Sequence, residues 1–142
     1  MFSKANLVAT IVGFIILFFG GWIFYDMIAA SFFDSHTTEG AKAIMRAEPN
    51  MLFIALGCLI QAFVMSTVYS KWARGIHSAK EGFEFGAWIG LFLGFGVWIL
   101  MYGVMDADDM TARAVDGVWS IIHYGIIGMS IALVYKGMAK KE

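Results

Sequence analysis

The chain has 142 residues, of which 60% are hydrophobic, and its formal net charge is −1. A soluble domain of this length buries only about 60 to 70% of its unfolded surface, so this much apolar sequence argues against a soluble fold. The balanced charge excludes a nucleic-acid surface built from excess basic residues. The single cysteine, Cys58, excludes an internal disulfide or a cysteine-rich zinc site.

Four long uncharged runs follow one another along the chain: Ala5–Tyr25, Met51–Ser70, Phe85–Met105 and Gly117–Tyr135. Each approaches the roughly 20 residues with which an α-helix spans a hydrocarbon core of about 30 Å. None of the runs alternates strictly between apolar and polar residues, so strands of a transmembrane β-barrel are disfavoured. The sequence predicts an all-α, polytopic membrane protein with four transmembrane helices in an antiparallel bundle. We expect a single domain over residues 1–142, with spans at about 5–27, 50–70, 79–105 and 110–136.

The ends of the runs carry helix signals. Lys4 could begin a signal peptide, but the apolar part of the first run exceeds the usual 7–15 residues, which favours a permanent helix. Pro49 suits the first turn of the second helix. Ser78 followed by Glu81 is a capping-box pattern, so the third helix should start near Ala79. Asp109 suits the N-cap of the fourth helix.

The outer loop, residues 28–49, is the longest connection between the runs. A short surface helix is expected around Thr38–Ala47, and Phe32 and Phe33 before it could enter the membrane interface. The loop is either a solvated connector or a cap over the bundle that contacts a partner.

Basic residues predict the orientation. One side would hold both termini and the second loop, with Lys4, Lys71, Arg74, Lys80, Lys136, Lys140 and Lys141. The other side would hold Lys42, Arg46 and Arg113. Because Lys and Arg mark the cytoplasmic side, both termini are predicted to be cytoplasmic.

Four glycines recur at four-residue spacing in the third run: Gly82, Gly86, Gly90 and Gly94. This spacing places them on one helical face, where missing side chains allow another helix to approach closely. The face can pack within the bundle or form an interface between subunits.

Two polar residues stand out within the runs. Gln61, near the centre of the second, needs a hydrogen-bond partner in hydrocarbon, and either joins two helices or lines a polar path. His123 is the only histidine inside a span and suits hydrogen-bonded packing, proton transfer or haem ligation. Bis-histidine haem needs a second histidine at the same depth, and His36 and His77 lie in loops. No cofactor is predicted.

The sequence contains no recognisable catalytic constellation, so an enzyme is not predicted. Asp106, Asp108 and Asp109 are weak candidates for a divalent metal, but their spacing does not match a calcium loop, and a solvated capping turn is the better interpretation. A lipid-modifying enzyme would require Asp26, Asp116 or His123 to converge in a cleft open to the bilayer.

Several motifs together resemble a family of short, four-helix bacterial membrane proteins known as a domain of unknown function. They are the Gly-Trp-x-x-Tyr stretch at Gly21–Tyr25, the glycine-rich Glu81–Gly90, the turn at Met101–Gly103 and the Asp-containing start of the fourth helix. The resemblance covers nearly the whole chain. It implies topology and a bacterial origin, so the predicted membrane is the inner membrane of a bacterium. Because that family has no established activity, it implies no catalytic residues.

Two functional hypotheses follow from this pattern. The first is an integral membrane structural or accessory subunit that associates with itself, as a homo-oligomer, or with other subunits of a larger membrane complex. It depends on the glycine face and on soluble segments too short to fold alone. The alternative is a channel or carrier for a small solute, working as an oligomer, with Gln61 and His123 lining its cavity.

Overall fold

The computed structural model describes residues 3–139, and this part of the chain is all-helical, as predicted. The helices are α1 (Lys4–Ile28), α2 (Ala30–His36), α3 (Glu39–Ile44), α4 (Met51–Trp72), α5 (Ala79–Tyr102) and α6 (Met110–Ala139). Lys140 and Lys141, two of the basic residues on which the predicted orientation depends, lie outside the described residues.

Four helices, α1, α4, α5 and α6, are long and apolar enough to cross a membrane. The shortest, α4, has 22 residues and would reach about 33 Å at 1.5 Å per residue. This length matches a hydrocarbon core of about 30 Å. The chain therefore has the four candidate spans expected of a multi-pass membrane protein.

Short polar side chains cap the starts of these helices. Ser3 accepts from the backbone N–H of Asn6 in α1, and Ser78 accepts from that of Glu81 in α5. Asp109 accepts from the N–H of Ala112 at 2.9 Å at the start of α6. Each bond satisfies a donor that the first helical turn leaves without an intrahelical partner, which is why the helices begin at these residues.

The end of α4 is a tight turn into the short loop before α5. Arg74 and Gly75 have φ angles of 47° and 85°, in the left-handed region that glycine adopts without a steric penalty. The N–H of Ile76 donates to the carbonyl of Ala73 at 2.7 Å and closes the turn. The chain therefore reverses direction within a few residues after α4.

Two spanning helices contain π-helical segments, at Ile23–Ile28 in α1 and Phe92–Val97 in α5. In the first, the N–H of Ala29 donates to the carbonyl of Phe24, five residues earlier, at 2.8 Å. A π-type turn is wider than an α-turn and rotates the following side chains around the axis. Tyr25 lies in the first of these segments.

Helix α6 lies at the centre of the arrangement. In the 18-residue apolar stretch of α6, 44% of the residues are buried, compared with 17 to 22% in the corresponding stretches of the other three spanning helices. It packs along most of α5 and also along α1, whereas α4 packs mainly along α1. Helices α4 and α5 share few contacts, among them those of the Phe85 ring with Tyr69 and Trp72 near the end of α4. Much of the surface of α4 therefore faces outward, and in a bilayer this surface would meet lipid.

The outer loop folds as α2 and α3 instead of the one expected helix. Thr38 caps α3 through a bond from the N–H of Ala41, and its own N–H donates to the carbonyl of Ala107 at 3.0 Å. The N–H of Asp109 donates to the carbonyl of His36 at 3.2 Å. These bonds join the outer loop to the segment before α6.

Candidate functional site

Four polar side chains meet where α1 and α6 adjoin the outer loop, and we call them the Arg113 cluster: Tyr25, Asp108, Arg113 and Asp116. The Arg113 guanidinium donates to the Asp108 carboxylate, and its Nη1 atom lies 3.9 Å from Oδ2 of Asp116. The Tyr25 hydroxyl donates to Oδ1 of Asp116. The Arg113, Asp108 and Asp116 side chains are only 13, 12 and 10% exposed, so this is a buried charge network.

Local sequence builds this cluster on α6. Asp109 starts the helix, and the i, i+3 spacing of Arg113 and Asp116 places both on one face. From α5, the Trp98 ring lies 4.7 Å from the guanidinium carbon of Arg113, within the range of a cation–π contact. The cluster therefore joins α1, α5, α6 and the loop before α6.

The chemistry of the cluster is structural. One guanidinium lies between two carboxylates, and a tyrosine hydroxyl satisfies the second carboxylate. Burying a charge is unfavourable unless a partner and hydrogen bonds compensate it, and here each ion has at least one such partner. The Nε–H group of Arg113 is buried and donates to no acceptor within residues 3–139.

His123 lies deeper in α6 and is 5% exposed. Its Nε2 atom is 3.0 Å from the carbonyl oxygen of Ile16, and its ring stacks on Trp119 with centroids 5.0 Å apart. A carbonyl can only accept, so Nε2 must be the donor. A Cβ atom added at Gly20 would lie 2.5 Å from Nε2, so the absence of a side chain there makes room for this bond.

Asp26, Asp116 and His123 do not converge in the described structure. Asp116 bonds to Tyr25, whereas His123 bonds to the backbone of Ile16. Asp116 and His123 share a face of α6 but are two turns apart, about 10 Å along its axis. No described hydrogen bond or ion pair within residues 3–139 joins Asp26 to either. The geometry therefore does not assemble an acid–base pair from these three residues.

The acidic turn before α6, which contains Asp106, Asp108 and Asp109, is held by contacts with neighbouring residues. Asp108 is paired with Arg113, and Asp109 caps α6 and lies 3.8 Å from Nε2 of His36. The carbonyl of Asp106 accepts from the Thr38 hydroxyl at 2.8 Å. Among the described residues, no group of three or more His, Cys, Asp or Glu side chains is arranged to hold a metal ion.

A second polar group lies at the opposite end of the spanning helices, and we call it the His77 cluster: Asn6, Ser66, Thr67, Tyr69, His77 and Tyr135. Asn6 donates to the Thr67 hydroxyl at 3.0 Å, and the Tyr135 hydroxyl donates to the carbonyl of Ser66 at 3.2 Å. These bonds hold together the start of α1, the end of α4 and the end of α6.

His77 closes this cluster from the loop between α4 and α5. Its Nδ1 atom lies 3.4 Å from the Tyr69 hydroxyl, and its ring stacks on Tyr135 with centroids 5.3 Å apart. The hydroxyl can donate to Nδ1 only while the imidazole is neutral. Burial also lowers the pKa of His77 below its ordinary value of 6.5.

This lowered pKa predicts acid sensitivity. The unfolded chain binds the proton more readily, so the stabilisation is complete above about pH 6.5 and decreases as the pH falls through the folded-state pKa. We expect the thermal unfolding temperature in detergent, followed by circular dichroism, to fall between about pH 6.5 and 5. In His77→Gln the fall should be smaller. Identical pH profiles for the two proteins would contradict this assignment.

An apolar layer separates the two clusters. Ala62, Ile127 and Ile131 are fully buried. A Cβ atom added at Gly13 would meet atoms of these three side chains at 3.4 to 3.6 Å, which is ordinary van der Waals contact. The layer is therefore apolar where α1, α4 and α6 meet, and the space beside Gly13 is about as wide as one methyl group.

The glycine face of α5 lies against α6. Added Cβ atoms at Gly82, Gly86 and Gly90 would overlap backbone carbonyls of α6: Gly128, Tyr124 and Ser120, respectively. At Gly94 the added atom would lie 2.9 Å from the Cα of Gly117. As residue numbers increase along α5, the numbers of the α6 residues in contact with it decrease. These glycines thus bring the two backbones together within one chain, and the face is already covered.

Gln61 is exposed, in contrast to the buried Ser66, Ser120 and His123 of the spans. It lies ten residues from Met51 and eleven from Trp72, at the middle of α4. Its Oε1 atom accepts from the Tyr124 hydroxyl of α6. This bond links the two helices, and the amide group faces outward at mid-span.

Sequence reasoning found Gln61, His123 and the glycines but missed the Arg113 cluster. The sequence marks Arg113 as an outer basic residue and Tyr25 as part of a family motif and of the outer aromatic belt, and neither pattern indicates a buried ion pair. The i, i+3 spacing of Arg113 and Asp116 was the available signal. It did not reveal that α1 would bring Tyr25 to the same place.

No known family, curated protein or solved structure matches this chain. The resemblance to an uncharacterised four-helix family therefore stays a prediction.

Proposed function

We propose that this protein is an integral membrane structural or accessory subunit that associates with itself or with other membrane subunits. The single observation that carries the proposal is the outward-facing amide of Gln61 at the middle of α4. A polar group in hydrocarbon is unfavourable without partners, and a neighbouring protein helix can supply them.

The polar groups of the two clusters and His123 bond to groups of the same chain, and this supports the proposal. The Arg113 and His77 clusters join helices of the same chain, and His123 bonds to the backbone of α1. The apolar layer between the clusters disfavours a solute path through one chain. The interior is therefore used to hold the fold, and the outer surface remains for interaction.

Charge supports the proposed orientation. Lys71 and Arg74 lie at the end of α4, Lys80 at the start of α5 and Lys136 near the end of α6. The His77 cluster holds these helix ends together. Because basic residues favour the cytoplasmic side, we place this end, with both termini, in the cytoplasm of a bacterial cell.

Native mass spectrometry after extraction in mild detergent or lipid nanodiscs tests the proposal. We expect complexes at integer multiples of the chain mass, or complexes with further membrane subunits. Release in harsh detergent should give the single chain and serves as the reference. A monodisperse monomer under every mild condition would contradict the proposed function.

A further inference from the structure

The outward-facing amide of Gln61 has unused hydrogen-bonding capacity. Its Oε1 atom accepts from Tyr124, and no described hydrogen bond within residues 3–139 uses its Nε2 atom. The residue lies about 15 Å from either end of α4, too deep for its side chain to reach the membrane surface. The Nε2 donors must therefore find a partner inside the hydrocarbon region.

The residues around Gln61 form a stripe along α4 that is exposed except at the half-buried Gly57, and we call it the α4 stripe: Ile54, Gly57, Gln61, Val64 and Val68. Their spacing of three, four, three and four residues is that of the a and d positions of a coiled coil. Ile54, Val64 and Val68 are 43, 51 and 45% exposed. Apart from the bond from Tyr124 to Gln61, no described hydrogen bond within residues 3–139 joins a side chain of this stripe to another helix.

Gly57 gives the stripe a close-approach point one turn from Gln61. A Cβ atom added there would meet nothing within 4 Å, in contrast to the four glycines of the α5 face, which are covered by α6. An uncovered glycine beside a polar residue allows a second helix to approach closely enough for an amide hydrogen bond.

We infer that the α4 stripe binds the α4 stripe of a second copy of this chain, with the two Gln61 amides hydrogen-bonded to each other. This inference rests on the self-association proposed above and names its surface. A primary amide carries both donors and an acceptor, so it complements itself. Lipid chains offer no such groups.

Symmetry favours this partner. Two identical chains inserted in the same orientation are related by a twofold axis along the membrane normal, and equivalent residues then lie at equal depth. Gln61 therefore meets Gln61, and Gly57 lies near Gly57. Helix α4 has the smallest buried share of the four spanning helices, 17% of its most apolar window, so it has the most free surface to contribute.

Cysteine cross-linking in native membranes tests the surface. In a Cys58→Ser background, which removes the single natural thiol, Val64→Cys places a thiol on the stripe. Leu59→Cys is the matched control, because Leu59 is 42% exposed but lies about 160° around α4 from Gln61. After oxidation with copper phenanthroline we expect a disulfide-linked dimer for Val64→Cys and monomer for Leu59→Cys.

A second measurement tests the amide itself. We expect Gln61→Leu to raise the dimer dissociation constant in nanodiscs about 3- to 30-fold, the range for hydrogen bonds between membrane helices. Tyr124→Phe removes the bond within the chain but keeps the amide, so it should leave the dimer at least as stable. Because Gln61 is exposed, Gln61→Leu should still fold, which circular dichroism checks.

The outcomes separate the two proposals. Oligomers in native mass spectrometry without cross-linking of Val64→Cys, or with cross-linking of Leu59→Cys instead, would overturn the α4 stripe and leave the proposed function standing. An unchanged dissociation constant in Gln61→Leu would overturn the amide pair. A monomer under all mild conditions would overturn both proposals.

Discussion

Replacing Gly86 by alanine is expected to lower the free energy of unfolding by about 1 to 3 kcal/mol, the usual cost of overpacking a closely packed site. The added Cβ atom would overlap the carbonyl oxygen of Tyr124 and lie 3.0 Å from the Cα of Gly125. Both are backbone atoms of α6 and cannot rotate away, so α5 and α6 must separate. Unfolding in mixed micelles with increasing dodecyl sulfate, followed by circular dichroism, measures the loss.

Gly21→Ala is the matched control for this substitution. Gly21 lies in α1, and a Cβ atom there would meet nothing within 4 Å. Because alanine is the better helix former, we expect no loss and a gain of up to about 1 kcal/mol. Equal effects of the two substitutions would show that helix propensity, and not contact between α5 and α6, controls stability at Gly86.

Replacing Arg113 by methionine is expected to lower the free energy of unfolding by about 3 to 5 kcal/mol, because the substitution leaves two buried carboxylates without their cation. Asp108 and Asp116 are 12 and 10% exposed, so water compensates little of the lost charge. The same unfolding titration measures this loss. The loop before α6 should also become more sensitive to protease, since its Asp108 anchor is gone.

Two further variants make this expectation specific to the buried charges. Combining Arg113→Met with Asp108→Asn and Asp116→Asn removes the unpaired charges and should recover much of the lost stability. Lys42→Met breaks ion pairs with Asp34 and Glu39, whose side chains are 77 and 92% exposed, and should leave stability unchanged. A loss in Lys42→Met as large as that in Arg113→Met would contradict the buried-network assignment.

Much of the secondary structure could be predicted from the sequence because its causes are local. The uncharged runs have the length of membrane helices, and the all-α class follows from them. Ser78 and Asp109 cap α5 and α6, since a side chain three residues before a free N–H can reach it in any context. The outer loop was less predictable, because α2 and α3 are short and depend on bonds to Ala107 and Asp109.

The candidate sites were predictable only in part. Glycine spacing predicts a smooth helical face, but it does not say which backbone covers that face. The structure places α6 against Gly86 and Gly90. Likewise, a glutamine in a span predicts a hydrogen bond, but its partner, Tyr124, is 63 residues away in the sequence.

The sequence by itself determined the helical class, the four apolar runs and the residues that start the helices, because these depend on composition and on contacts within one turn. Only the tertiary structure decided that α6 lies at the centre, that Tyr25 and Arg113 share one polar cluster, and that Gln61 faces outward. These features depend on the rotation of each helix about its axis. That rotation is set by packing between segments distant in the chain, which a local pattern does not encode.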